Sequence, residues 1–589
     1  MKPVAAAPIF FGPKHRPLFG WLHRASPGAA RSIALIICNP FGYEAICAHR
    51  TLRHLAERAA AAGYTTLRFD YDGSGDSAGT ETDPDRLAAW RGSIYAAVDA
   101  TRAATGIDKF CLAGMRLGAT LASLAGAQRS DVVGFIAVAP VATPRSYLRE
   151  LRALALARPQ PTPPEWAKVD PDIQDIAGFA LSNATRDELS AVNLIKAEHP
   201  PAQQMLLLHR NDMPQDGTWA QRLQELGATV RQQAFNGYVE MMLDAHENIV
   251  ANDLIDAILA WLPELNSAPA APVPNLPALP FSALFDNDTV RETALRLDAD
   301  GRLFGIAAEP AAPPHGVRRV VIFLNAGAVS HVGPNRLHVK LARHLARHGV
   351  TSLRVDVSGI GESNPHEAEP ENAVYSAHVA HDIITIRRYV DAHYANAEIS
   401  LVGLCSGAYH GFKAAVAGVP LRRLVAINPL TFFWKEGMSL ATPDFQVVAE
   451  AARYSKTAFE LSAWLRVLRG QADLLGAIGV VLRRLGLASR NAARSVARRL
   501  RIPLQDDLGS ELASAARHKV ELVFVFAAAD PGRQMLFGQG GSVVTRLQRR
   551  NILHVDVVDA ADHTFTQHWA QARLMDILSQ HLGAPPPTR

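Results

Sequence analysis

The sequence predicts an α/β protein made of two doubly wound, mainly parallel sheets in tandem, each with a helical cap insertion. Three observations predict it. At 589 residues the chain is too long for one hydrophobic core. It also repeats itself: TTLRFDYDGSGDS at 65–77 returns as TSLRVDVSGIGES at 351–363, 286 residues on, and Asn39 in IICNPFG and Asn325 in IFLNAGA stand at the same spacing. The PLFG ending at Gly20 returns as RLFG ending at Gly305, 285 residues on. Finally, each half alternates short Val/Ile/Leu runs with longer helical patterns, as in a parallel sheet covered on both faces.

The elements follow in order in the second half. RRVVIFLNA is a strand, RLHVKLARHLARHG a helix closed by glycine, TSLRVDVSG a strand, and NAVYSAHVAHDIITIRRYVDAHY a helix. EISLVGLCSG, RRLVAINP, VELVFVFAAAD and ILHVDVVDAADH are further strands. In the first half the counterpart of EISLVGLCSG is KFCLAGMRLGA. Between the halves, WLPELNSAPAAPVPNLPALPFSALF alternates proline with alanine and sustains neither a helix nor a central strand. The expected domains are therefore 1–262 and 286–585, joined by a linker at 263–285.

Composition narrows the function classes. With 48% hydrophobic and 20% charged residues, the chain has the material for buried cores rather than disorder. A formal net charge of +4 over this length gives no case for nucleic acid, and zinc-finger spacing does not occur. The four cysteines, Cys38, Cys47, Cys111 and Cys405, have no CxxC spacing, which argues against a metal site or disulfide framework; no cofactor is expected. MKPVAAAPIFFGPKHRP lacks a sustained apolar core, and no run of about 18 apolar residues occurs, so a cytoplasmic location is expected.

The chemistry centres on GLCSGA at 403–408. In a G-x-nucleophile-x-G turn between strand and helix, the glycines permit the close backbone approach that lifts the nucleophile above the sheet. Gly403, Cys405 and Gly407 fit that register, whereas Ser406 stands one place late. A helix amino terminus and a neighbouring histidine favour the thiolate, the nucleophilic form. Taken alone, the motif suits an inert buried cysteine equally well. Two partners change this: Asp530 ends VELVFVFAAAD before Pro-Gly, and His563 follows ILHVDVVDAAD within ADHTF. Asp562 competes for the acid's role, but a residue adjacent to the histidine is poorly placed to orient its ring. Through GLCSG, AADPG and ADHTF in that order, the second half resembles the α/β-hydrolase superfamily over its full length. That resemblance implies Cys405 as nucleophile, Asp530 as acid and His563 as base. It further implies an oxyanion hole formed by the amide of Ser406 and one from NAGA, Ala326 or Gly327.

Superfamily members with cysteine at this place include dienelactone hydrolases and polyhydroxyalkanoate synthases. The resemblance therefore implies acyl chemistry through an acyl-enzyme without choosing between water and another acceptor. Because a thiolate exchanges readily with thioesters, a thioester or activated ester is the expected substrate, with hydrolysis as the leading reading and transfer to an alcohol or amine as the alternative. A third reading is a non-catalytic binding protein for an acidic ligand or an acyl carrier.

In the first half, Arg116 occupies the nucleophile's place in GMRLG, and a guanidinium cannot attack at neutral pH. The acid and histidine places persist as Asp212 and His246. A cation at a helix amino terminus needs a negative partner. Either Arg116 pairs with Asp212 in a structural pseudoenzyme, the favoured reading, or Arg116, Asp212 and His246 line a site for a phosphate or carboxylate beneath the NPFGYE loop. The first half resembles bacterial hydrolases with GLRLGA-type elbows and NPFG-type loops, some encoded with exosortase or polysaccharide and lipid assembly systems.

Residues 430–516 read as the second half's cap. Within it, GVVLRRLGLASRNAARSVARRLRIP at 479–503 carries Arg483, Arg484, Arg490, Arg494, Arg498, Arg499 and Arg501 at helical spacing among apolar residues. Such a helix either docks an acyl carrier protein, coenzyme A or an anionic membrane surface, or covers the acyl pocket with its apolar face. TFFW at 431–434 and AFELSAWL at 458–465 read mostly as core, with an acyl tunnel as the alternative. The first-half insertion, about 143–200, is shorter and rich in proline and alanine.

Overall fold

The structure is a computed structural model that describes residues 6–26, 28–157, 172–176, 178–214, 216–265, 267–270, 279–312, 316–435, 438 and 505–585. Its first half contains β1 (Ala6–Phe11), β2 (Leu18–His23), β3 (Ile33–Cys38), β4 (Thr66–Phe69), β5 (Lys109–Met115), β6 (Val132–Val138), β7 (Ile173–Ile176), β8 (Phe179–Ser182), β9 (Gln204–Arg210) and β10 (Thr229–Phe235). Eight of these form one sheet in the order β1-β2-β4-β3-β5-β6-β9-β10, while β7 and β8 make a separate hairpin. Pairing is antiparallel from β1 through β2 to β4, then parallel to the far edge. Every residue of β3 is buried, as helices on both faces require.

The second half contains β11 (Ser282–Phe285), β12 (Val290–Arg296), β13 (Phe304–Pro310), β14 (Arg319–Phe323), β15 (Thr351–Asp356), β16 (Glu398–Leu404), β17 (Arg423–Ile427), β18 (Glu521–Ala527) and β19 (Leu553–Val558). Its sheet runs β11-β12-β13-β15-β14-β16-β17-β18-β19. Without β11, this is the first half's order over again. The fold is that of the α/β hydrolases, with two mainly parallel sheets. The antiparallel strands at the start of each sheet have no counterpart in the sequence reading. Ser282–Phe285, the end of the expected linker, pairs with β12 instead of running free. Earlier in that segment, Ser32 donates to the Ala268 carbonyl and Ala270 to the Ala30 carbonyl, at 2.8 and 2.7 Å.

Two further expectations change. The helix expected over 372–394 begins only at Val379, because Asn372 adopts a left-handed φ of 68° and the chain turns through 373–378. The first-half insertion is not purely helical: helix Pro144–Ala157 and helix Asn183–Ala191 flank the β7–β8 hairpin. In the cap, helix Leu508–Arg517 packs Leu508 and Leu512 into the core, whereas the seven arginines and AFELSAWL lie outside the described residues.

The halves pack against each other through matched elements. Trp21 stacks edge-on to Phe304 at 4.7 Å, Phe10 meets Phe285 at 5.7 Å, and Phe10, Phe19, Trp21 and Ala78 join the second half's core. Around this apolar patch, buried charges cross over. Arg68 donates to both oxygens of Glu362 at 3.0 and 2.8 Å, while their repeat counterparts Arg354 and Asp76 pair with each other. Residue i of one half meets j of the other and j′ meets i′, the reciprocity of a two-fold interface between like subunits.

Candidate active site

β16 leads into helix Ser406–Val416 through Cys405, whose φ of 58° and ψ of −114° lie in a region that non-glycine residues rarely adopt. The flanking glycines make the turn possible. A Cβ on Gly403 would sit 2.1 Å from the carbonyl carbon of Gly407, and one on Gly407 would sit 2.5 Å from the Asn325 carbonyl oxygen. The elbow thus lies directly against the loop that follows β14. Cys405 is partly exposed, whereas Cys38, Cys47 and Cys111 are buried. Burial pushes the Cys38 and Cys47 thiols up to about 12, which suppresses their thiolates.

The structure brings Cys405, Asp530 and His563 together. Asp530 caps helix Pro531–Gly540, with one carboxylate oxygen accepting the Gly532 amide at 2.9 Å. The other accepts His563 Nδ1–H at 2.6 Å. His563 Nε2 has no nitrogen or oxygen partner among the described residues and faces the Cys405 thiol. Burial opposes a charge on this imidazole, but Asp530 and Cys405 outweigh it and raise the pKa to about 10. The two neighbours thus favour the protonated form of the ring. Asp562 instead accepts the Thr566 amide at 2.7 Å and shapes the loop.

Of the expected oxyanion donors, Ser406 opens the helix, where amides have no intrahelical acceptor. The Gly327 amide donates to the Ser406 hydroxyl at 3.0 Å, which leaves Ala326 as the remaining candidate in the loop. Two residues of this site went unnoticed in the sequence. Asn428, just after β17, donates to the His563 carbonyl at 2.6 Å and accepts the Ala527 amide at 2.8 Å, tying the histidine loop to the acid's strand. The Tyr375 hydroxyl is buried with no nitrogen or oxygen partner among the described residues and interacts with Cys405. Its ring stacks on Trp434 at 4.1 Å and meets Tyr409 at 5.3 Å. TFFW therefore divides: Phe432 is core, packed on Phe412, while Trp434 stacks on Tyr375.

The first-half elbow keeps the turn, with φ 53° and ψ −122° at Arg116, and loses the site. Arg116 does not pair with Asp212. Its Nε donates to Glu44 at 2.6 Å and an Nη to Glu150 at 2.9 Å, its guanidinium lies over the Tyr147 ring, and the Tyr147 hydroxyl donates to Glu44 at 2.9 Å. Asp212 instead takes both arms of Arg210 at 2.7 and 2.5 Å, and His246 is exposed beside Glu247. The three residues expected to line one site thus each make their own, separate polar contacts. Glu44, from the NPFGYE loop itself, supplies the charge that a ligand was expected to bring.

His366, His381 and Asp382 bring three ligand-type atoms within 4.8 Å of one another. His366 Nε2 already meets Asp382 at 3.2 Å and Nδ1 faces Arg302 at 2.8 Å. A metal-bound imidazole donates outward from its second nitrogen, and a guanidinium is no acceptor for it.

Residues 47–206 match the family model described as Hydrolase_4, serine aminopeptidase, S33. That segment includes the first elbow, where Arg116 stands at the serine's place. No curated protein matches the chain. Solved structures similar to it include a dienelactone hydrolase from Anabaena variabilis, at 12% identity over 50% of this chain and 96% of that one, with a TM-score of 0.30. The α/β serine hydrolase XC6422 from Xanthomonas campestris matches at 19% identity over 46% and 99%, with a TM-score of 0.29. Est1E from Butyrivibrio proteoclasticus, bound to ferulic acid, matches at 18% over 44% and 99%, with a TM-score of 0.34. Among the described residues no helix is long and apolar enough to cross a membrane. Strand order, elbow geometry and the duplicated pattern make this chain two α/β-hydrolase folds in tandem.

Proposed function

We propose that the second half is a cysteine-dependent acyl hydrolase acting on thioesters or activated esters, and that the first half is a non-catalytic partner. The observation that carries this reading is the Cys405 elbow, with His563 facing the thiol and fixed by Asp530 at 2.6 Å. The Cys405 thiolate attacks the acyl carbon, and the resulting oxyanion is met by the Ser406 amide and Ala326. As the carbon–oxygen or carbon–sulfur bond to the leaving group breaks, His563 gives its Nε2 proton to that group. Neutral His563 then takes a proton from water, whose oxygen attacks the thioester to release the acid and restore the thiolate. Asp530 keeps Nδ1 protonated throughout, so that Nε2 exchanges the proton.

Turnover of a panel of acyl thioesters and aryl esters by the native chain and by Cys405→Ala tests the reading. Release of free acid that is lost in Cys405→Ala supports hydrolysis. Capture of the acyl group by an added alcohol or amine in preference to water would make the enzyme a transferase. Full turnover in Cys405→Ala would refute the cysteine mechanism.

A further inference from the structure

The crossover between the halves is reciprocal, yet its two ends differ in what they touch. At one end, Glu362 of the second half enters the first, where it is held by Arg68 and by His49 at 2.9 Å. His49 lies within helix Tyr43–Ala61, whose first turn supplies Glu44 to Arg116 of the elbow without a nucleophile. At the other end, Asp76 of the first half enters the second and is held by Arg354 and by His331 Nε2 at 2.8 Å. His331 closes the loop that begins at Asn325, and this is the loop that lies against the Cys405 elbow.

The connections from Asp76 to that loop are short. His331 donates from Nδ1 to one oxygen of Asp356 at 2.7 Å, and its own amide donates to the other at 2.6 Å. Asn325 Nδ2 donates to Asp356 at 2.7 Å and to the Val329 carbonyl at 2.9 Å, while its oxygen accepts the Val357 amide at 2.8 Å. Asp356 thus grips both ends of the 325–331 loop, and Asp76 fixes the imidazole that completes the grip. His331, Asp356 and Asp76 are all buried. Ala326 and Gly327 lie inside the loop so held, and Gly327 is bound to Ser406.

The first half has no such arrangement. Asp70, the counterpart of Asp356, accepts the Asp76 amide at 2.9 Å as Asp356 accepts that of Glu362 at 3.0 Å, but position 45, the counterpart of His331, is alanine. Asn39, the counterpart of Asn325, donates to the Phe69 carbonyl rather than to Asp70. Among the described residues the histidine clamp occurs only beside the elbow that carries Cys405.

We propose that Asp76 of the first half is a positioning residue for the second half's active site, acting through His331 and Asp356 to set the 325–328 loop that presents Ala326 to the oxyanion. The proposal rests on the acyl-enzyme reading of Cys405. It gives the half without a nucleophile a task in the other half's reaction. Acylation forms the sulfur–carbon bond and places negative charge on the carbonyl oxygen before the leaving group departs with the His563 proton, so it depends on the loop. Alkylation of the same thiolate by iodoacetamide displaces iodide at a saturated carbon and forms no oxyanion. The two reactions therefore separate loop position from thiol reactivity.

The experiment compares, in the full chain, the burst rate of acylation by p-nitrophenyl acetate with the rate of iodoacetamide alkylation of Cys405. In Asp76→Asn, acylation is expected to slow by about tenfold or more while alkylation stays within about twofold of native. Asp76→Glu, which restores the carboxylate, is expected to recover most of the loss. Unchanged acylation in Asp76→Asn, or a parallel fall in both reactions, would overturn the proposal. Should Asp76→Asn fail to fold, His331→Gln leaves the Asp76–Arg354 pair in place and is read by the same two rates: a selective loss of acylation supports the proposal and equal rates overturn it. A native chain that is alkylated at Cys405 but never acylated would overturn the acyl-enzyme reading itself, and the proposal with it, a result distinct from an acylated native chain indifferent to Asp76.

Discussion

The two elbows are nearly the same turn with different side chains, φ 58° at Cys405 and 53° at Arg116, each between a buried strand and a helix. Around the first, an acid and a histidine converge. Around the second, two glutamates and a tyrosine close on a guanidinium, and the residues at the acid and histidine places pair with other neighbours. The backbone conformation therefore persists without the chemistry. What separates the halves is the set of charges that meets the elbow: a buried arginine must be neutralised, and Glu44 and Glu150 do so.

The sharpest way to widen that contrast is to disable the intact site. Asp530→Asn leaves His563 without the acceptor that fixes its tautomer, and esterase activity should fall on the order of 10⁴-fold, read by steady-state kinetics with an activated ester. Asp562→Asn should leave activity within about a few-fold of native, because its carboxylate binds the Thr566 amide rather than the imidazole.

A second variant tries to erase the contrast. Arg116→Cys puts a thiol on the first elbow, but with Asp212 held by Arg210 and His246 exposed, it should confer no turnover in a Cys405→Ala background. It should also cost about 1–3 kcal/mol in urea unfolding, since Glu44 and Tyr147 lose their partner. Measurable turnover would show that the first half lacks only its nucleophile.

Much of this comparison was legible in the sequence. The parallel strands, the duplicated spacing, the elbow and the order of Cys405, Asp530 and His563 all follow from local periodicity and from motifs at strand ends. The partners of Arg116 were not. Glu44 is 72 residues from Arg116 and Glu150 is 34 away, and no spacing rule says which of many carboxylates reaches a buried cation. Tyr375 was hidden because the helical pattern around it runs unbroken to Val379, although Asn372 turns the chain. The antiparallel strands β11 to β13 were missed because their alternation is short and broken by turns. Asp76 looked like one more polar residue of a repeated loop, and its role depends on the packing of the halves.

The crossover itself predicts effects on stability rather than on chemistry. Glu362→Gln removes the buried partner of Arg68 and His49 and should destabilise the chain by about 3–5 kcal/mol, with Arg354→Met similar because Asp76 and Glu292 are left behind. His331 adds a dependence on pH. It is faced by Asp76 and Asp356, with Asp70, Arg354 and His338 nearby. Burial opposes its charge, but the two carboxylates raise its pKa to about 10. A raised pKa gives stability that is fully present below the ordinary 6.5 and lost as pH climbs through about 10. Unfolding free energy should therefore decline between about pH 7 and pH 10, and decline less in His331→Gln. His563 has the same sign and is common to both proteins, so the difference between them reports His331 together with Asp70, on which its charge acts.

The most direct measurement is intact-mass spectrometry of the native chain, Cys405→Ala and Arg116→Cys after brief exposure to acyl thioesters and activated esters, with peptide mapping of any adduct. The account predicts a single acyl mass in the native chain and in Arg116→Cys, mapped to Cys405 in both, that decays in water and is missing from Cys405→Ala. An acyl group on another residue, or an undiminished adduct in Cys405→Ala, would contradict it.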